Sequence, residues 1–155
     1  MDILDRLLGH NNSAIQTLLE CSRTLTDPEL DCTFDIGLHS VRLTVNHIVQ
    51  NIEWWTDLMN GASARGLIGD GLTLDGLSAR FRRVSAQFEE VARRKNREGA
   101  LDEHWRPRAD QVETHSYGNT IVHVITHAAH HRGQWIYMLK RLEVEEMPIA
   151  QALTW

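Results

Sequence analysis

Two cysteines in 155 residues, Cys21 and Cys32, are too few and wrongly spaced for a disulfide framework or a CxxC metal knuckle. They are expected to be reduced, buried thiols. Three prolines leave long stretches free of helix breakers. No apolar run approaches the roughly 18–20 residues of a membrane span, so no membrane partner is expected. The start "MDILDRLLGHNN" lacks the basic residues, apolar stretch and cleavage site of an export signal, and the expected location is the cytoplasm. Positive charge is scarce too. Lys and Arg number 16 against 21 Asp and Glu, a net charge of −5. Nucleic acid is therefore not an expected partner, because phosphate binding needs surplus cations on one face. The basic runs "RFRRVS" and "ARRKNR" share their segment with Glu89 and Glu90 and read as a solvated helix face.

What the chain does have is helical periodicity, and residues 1–155 read as one domain. Apolar residues predict a helix from Ile3 to Leu25 that buries Ile3, Leu7, Leu8, Ile15, Leu18 and Leu19. Asp27-Pro28 then fits a cap and the first position of a short helical turn. A second long helix is expected from His39-Ser40 to Asn60, stopped by Gly61, with Val41, Val45, Ile48, Ile52, Trp55 and Met59 inward. A third runs from Thr73 to Asn96 on Leu74, Leu77, Phe81, Val84, Phe88 and Val91. The last begins after Gly118-Asn119 and reaches Glu143, burying Ile121, Ile125, Ala128, Trp135, Leu139 and Leu142. No segment alternates with period two. The fold class is all-α, and four such helices suffice for a four-helix bundle. "GASARGLIGDG" (61–71) lacks the phosphate-cradle pattern, and the stretch 98–118 is long for a bundle connection. Either loop is a candidate wall for a pocket.

"VHVITHAAHHRGQW" (122–135) concentrates four of the nine histidines. A helix turns about 100° per residue, so His127 and His131 project from one side, a turn apart, as a two-tooth chelate. His123 lies a further turn back, and His130 points away toward solvent. On the second long helix His47 stands about 120° from the buried stripe, in the same rotational sense as His127 and His131 on theirs. Two histidines from one helix and one from another give three protein ligands and an open position, the arrangement of catalytic metals. The alternative is that His127 and His131 are half-buried residues bonded to backbone. No Ser-His-Asp or Cys-His signature offers a metal-free nucleophile, and no Glu-x-x-His pair suggests a di-iron site.

"FDIGLHSVRLTVNHIVQNIEWW" followed by "HVITHAAHHRGQWIYML" resembles the DinB/YfiT-like family, small helical proteins distinct from the DNA polymerase that shares the name. The family places a histidine shortly before a tryptophan and later a block close to NHxxHHRGQ; here the block reads "THAAHHRGQ", with Thr126 where asparagine is frequent. The resemblance implies an up-down-down-up bundle and a divalent metal, zinc or nickel, on His47, His127 and His131. It also implies a homodimer acting on a small-molecule substrate. Some relatives are transferases or isomerases that use a low-molecular-weight thiol. The implied activity is thus a thiol-dependent S-transferase or a hydrolase, with a non-catalytic metal-binding or stress-response protein as the alternative. The tail "EVEEMPIAQALTW" departs from the commoner family ending.

Other residues of the motif carry expectations of their own. Gln134 and Asn51 are candidate cofactor-binding positions: Gln134 as a partner to a ligand histidine, Asn51, four residues after His47, as a contact for water or substrate; the alternative for each is an ordinary polar residue on a helix surface. Gly133 is expected to permit a close helix approach or to make room for a neighbouring side chain. Arg132 falls on the apolar stripe and needs a route to solvent or a carboxylate, for which Glu53 or Asp57 are candidates. Trp54, Trp55 and Trp135 are placed either to line an apolar pocket or to pack.

Overall fold

The computed structural model describes residues 2–66, 72–107 and 112–145. Each long helix in it begins where a side chain caps it. Asp2 accepts from the Asp5 N–H ahead of α1 (Ile3–Ser22), and Ser40 from Leu43 ahead of α3 (Val41–Met59). Thr73 caps α4 (Leu74–Arg97) through Gly76, and Ser116 caps α5 (Tyr117–Arg141) through Asn119. Each cap satisfies an N–H that the helix cannot, worth about 1 kcal/mol. Between α1 and α3 lies the short α2 (Asp27–Leu30); its cap is Thr26 rather than Asp27, with the Glu29 carboxylate accepting from the Thr26 N–H and hydroxyl.

The sequence places these boundaries within a few residues and errs in two instructive ways. α1 stops at Ser22, three residues before Leu25. α5 starts ahead of Gly118, not after it. That glycine lies in the first turn, where its N–H donates to the Leu101 carbonyl at 2.7 Å and an added Cβ would come 3.1 Å from the same oxygen. Gly118 therefore lets the preceding loop approach the helix. That loop also carries β1 (His104–Trp105) and β2 (His115–Ser116), an antiparallel pair too short to show alternation in sequence. Residues 67–71 of the glycine-rich loop, 108–111 of the long connection and the tail from 146 lie outside the described residues.

Side-chain bonds give the relative directions of the helices. Arg80 reaches Asn46 and Glu53 while Arg94 reaches Asn60, so α3 and α4 run the same way. Arg23 meets Asp75 and Asn96 meets Asp2, so α1 runs against α4. α5 runs against α3, with Thr44 beside Met138 and Trp55 beside His123. Along α1, Asn11 meets Arg132 and Ser22 meets Trp135, so α5 follows α1. α3 packs on α4 and α5, and α1 packs on the same two.

Their shared interior is built from Leu8, Ile15, Leu18, Ile48, Ile52, Phe81, Phe88, Trp135 and Leu139, all fully buried. Burying each such side chain contributes on the order of 1.5–3 kcal/mol. Trp135 belongs wholly to this core, its indole N–H donating to Ser22 Oγ at 3.1 Å. Ile3 and Leu7 do not, at 72% and 42% exposed. Leu7 and Leu8 differ by about 100° in direction, and Leu8 takes the inward position. Cys21 is half-buried and Cys32 exposed, neither of them in a disulfide, so the expectation of buried cysteines fails.

Two arginines contradict their sequence readings. Arg80, assigned to the solvated face, is buried, and its Nε and Nη2 grip the Glu53 carboxylate at 3.2 and 2.5 Å. Arg82 and Arg83 are exposed as expected. Arg132 is buried, as its place on the stripe requires, but neither proposed carboxylate serves it. Glu53 belongs to Arg80 and Asp57 to Arg65, and Arg132 instead donates to Asn11 Oδ1 at 2.6 Å. Burial pulls its pKa below the ordinary guanidinium value. Among the described residues, no helix is long and apolar enough to cross a membrane.

Candidate metal centre

α3 presents His47, Asn51 and Trp55 at four-residue spacing, and α5 presents His123, His127 and His131 likewise. Because the helices run in opposite directions, the two rows meet in reverse order. The His47 ring lies 4.6 Å from that of His131 and 4.9 Å from that of His127, while Trp55 lies 5.5 Å from His123. His127 and His131 stand 4.5 Å apart, as a one-turn spacing dictates. One nitrogen from each of His47, His127 and His131 lies within 4.8 Å of the others, a group that could hold a metal ion.

The separation of His47 and His127 suits a cation. His47 Nε2 and His127 Nε2 are 3.1 Å apart. Two nitrogens bound at about 2.0–2.1 Å to one ion stand about 3.0–3.4 Å from each other at angles up to tetrahedral. The charge state suits it as well. Burial, followed by the neighbouring imidazoles, pushes the His127 pKa down to about 4, and burial lowers those of His47 and His131. All three rings are therefore neutral near neutral pH, with lone pairs available for coordination.

A second layer orients His131. Its Nδ1 donates to Gln134 Oε1 at 2.8 Å, which leaves Nε2 unprotonated for a metal. The same amide's Nε2 donates to His130 Nε2 at 3.0 Å, so both ends of Gln134 are fixed. Gly37, in the loop before α3, lies directly against this amide: a Cβ there would sit 2.1 Å from Gln134 Oε1, and its φ of +51° is one that glycine adopts without strain. Nothing local in "FDIGLHS" announces that contact, and sequence reading misses it.

The other expectations divide. His123 is exposed and lies outside the convergent group, with its ring 5.5 Å from that of His127. His130 is exposed and held by Gln134. Gly133 has open space where a Cβ would be, so it serves no close helix approach. Trp54 is 40% exposed, whereas half-buried Trp55 joins a group of rings with Trp105 and His115, neither of which the sequence singles out. Asn51 Oδ1 and His127 Nδ1 are buried with no hydrogen-bond partner among the described residues. Buried polar atoms seldom stay unpaired, and these two lie on facing helices beside the histidine cluster. No curated protein matches the chain. The DinB family model matches residues 1–153, nearly its whole length, and with the three-histidine cluster in place this chain belongs to the DinB family.

Proposed function

We propose that this protein is a metal-dependent enzyme of the thiol S-transferase or hydrolase type, acting on a small molecule in the cytoplasm. His47, His127 and His131 hold one divalent ion, zinc or nickel, on a four-helix bundle of up-down-down-up order. The single observation that supports the reading most is the meeting of three neutral imidazoles from two helices, their ligand atoms within 4.8 Å. The helix directions given by Arg80, Arg23, Trp55 and Trp135 support the bundle order.

When bound, a divalent ion on three imidazoles supplies Lewis acidity, lowering the pKa of a coordinated water or thiol toward neutrality. The chain's own groups do the rest. Gln134 holds His131 in the tautomer that presents Nε2. Asn51 Oδ1, one turn along α3 from His47, accepts a hydrogen bond from the substrate or the incoming nucleophile. A low-molecular-weight thiol is the proposed co-substrate, and a homodimer the proposed assembly.

Metal analysis of the purified protein with His47→Ala, His127→Ala and His131→Ala tests the site. Each substitution is expected to abolish stoichiometric metal; unchanged content in all three would refute it. Turnover of an electrophile with a panel of small thiols then tests catalysis. Bound metal with no turnover assigns the protein to metal binding or stress response instead.

A further inference from the structure

Beside the histidine cluster, the facing rows of α3 and α5 end in a wall of rings. Trp55 contacts Trp105 at 6.4 Å, His115 at 5.8 Å and His123 at 5.5 Å, with interplanar angles of 90°, 89° and 74°. None of these contacts is face to face. Part of the cluster is accounted for by anchoring the loop. Trp105 stacks on Tyr117 at 5.6 Å, and Lys95 Nζ lies 4.2 Å from the Tyr117 centroid. Those three groups pin β1 to the ends of α4 and α5. Trp55 and His123 are not needed for that, yet they stand partly exposed in the row that continues into the metal centre, His123 next to His127.

The unsatisfied polar atoms gather in the same place. Four buried side-chain atoms lack a partner among the described residues, and three of them, Asn51 Oδ1, Trp105 Nε1 and His127 Nδ1, belong to this wall or to the histidine face. The carboxylates that α3 itself carries on either side of Trp55, Glu53 and Asp57, are committed to Arg80 and Arg65. Rings bordered by unpaired polar atoms suit a π-system with a hydrogen-bonding substituent.

We infer that the substrate carries a planar aromatic ring, seated against Trp55 and His123, with its polar substituent directed toward the histidines. This deepens the proposed activity and rests on it for the site's role in a reaction, but ring binding itself is independent of metal. Nitrobenzene and nitrocyclohexane share a polar group and nearly a size, and differ in the π face. Binding of each to the full chain is measured by equilibrium dialysis and by the indole N–H resonances, assigned through Trp→Phe variants, with and without zinc. Nitrobenzene is expected to shift the Trp55 and Trp105 signals saturably and to bind about five-fold or more tightly than nitrocyclohexane, the scale of one aromatic pair. Trp55→Leu loses that preference, Trp55→Phe keeps most of it while confirming a folded chain, and Trp54→Leu leaves it unchanged. Equal binding of the two compounds, or shifts confined to other tryptophans, overturns the inference. Preferential ring binding with unaltered zinc content in all three histidine variants sinks the metal centre and leaves the wall standing; tight zinc with no preference does the reverse.

Discussion

Gly37 and Gln134, 97 positions apart, touch so closely that no side chain fits between them. The contact links a left-handed turn to the amide that sets the tautomer of His131. Gly37→Ala therefore displaces Gln134 and strains the turn. The expected result is a drop of about 10–100-fold in metal affinity, the usual effect of losing a histidine's outer partner, with about 1 kcal/mol lost from the metal-free fold. Competition titration with a chelator measures the first, urea denaturation the second. Combining Gly37→Ala with Gln134→Ala should add little; full additivity would break the link.

Acid should loosen the metal-free protein through the same site. The His127 pKa lies at about 4 in the fold against 6.5 ordinarily, and those of His47 and His131 are lowered too. The unfolded chain thus takes up protons first. The site's contribution is complete above 6.5 and is lost as pH falls through about 4. Metal affinity declines in the same window as protons compete for the nitrogens. Denaturation across this range should give a shallower pH dependence for His127→Gln than for the parent, and equal slopes would exonerate the histidines.

Glu53 and Arg80 form the buried ion pair between α3 and α4, at 2% and 6% exposure. Removing Glu53 leaves Arg80 charged and enclosed with an amide partner, Asn46, and removing Arg80 leaves Glu53 only the longer contact with Arg65 at 3.7 Å. Glu53→Ala or Arg80→Ala is expected to cost about 3–5 kcal/mol in urea denaturation. A loss under about 1 kcal/mol, typical of exposed pairs, would show that solvent reaches the survivor.

Arg132 should behave in the opposite way. Its guanidinium is enclosed with only an amide partner, Asn11, and no carboxylate among the described residues. Replacing both groups with apolar residues, Arg132→Met with Asn11→Leu, removes a desolvated charge together with its acceptor. Thermal and urea unfolding should find the double variant as stable as the parent or more so, while Arg132→Met alone strands the Asn11 carbonyl and costs about 1–3 kcal/mol. A large loss in the double variant would expose an anionic partner for Arg132.

Periodicity read the helices of this chain well because α3, α4 and α5 each bury one stripe, and Ser40 and Thr73 start α3 and α4 where their sequences say. It also brought His47 within reach of His127 and His131, since a one-turn spacing and an edge-of-stripe position are properties of a single helix. What it missed depends on two elements at once. The partner of Arg132 is an asparagine on α1, the neighbour of Gln134 is a glycine in a loop, and Trp105 stands on a strand of two residues. The exposure of Ile3 and Leu7 has the same origin: a stripe shows which residues can face inward, but the helix packed opposite decides where the interior ends.

His131 and Arg132 are consecutive on α5 and point about 100° apart, one at the cluster and the other into α1. Any turn of α5 about its axis that moved the imidazole would drag the guanidinium through packed side chains. α3 is held in a similar way, by Glu53 gripped from α4. The two jaws that carry the imidazoles are thus clamped from behind, and the gap between them works as a gauge of fixed opening. Ions whose preferred bond lengths match it will be favoured, and a larger ion will have to be met by side-chain rotation alone.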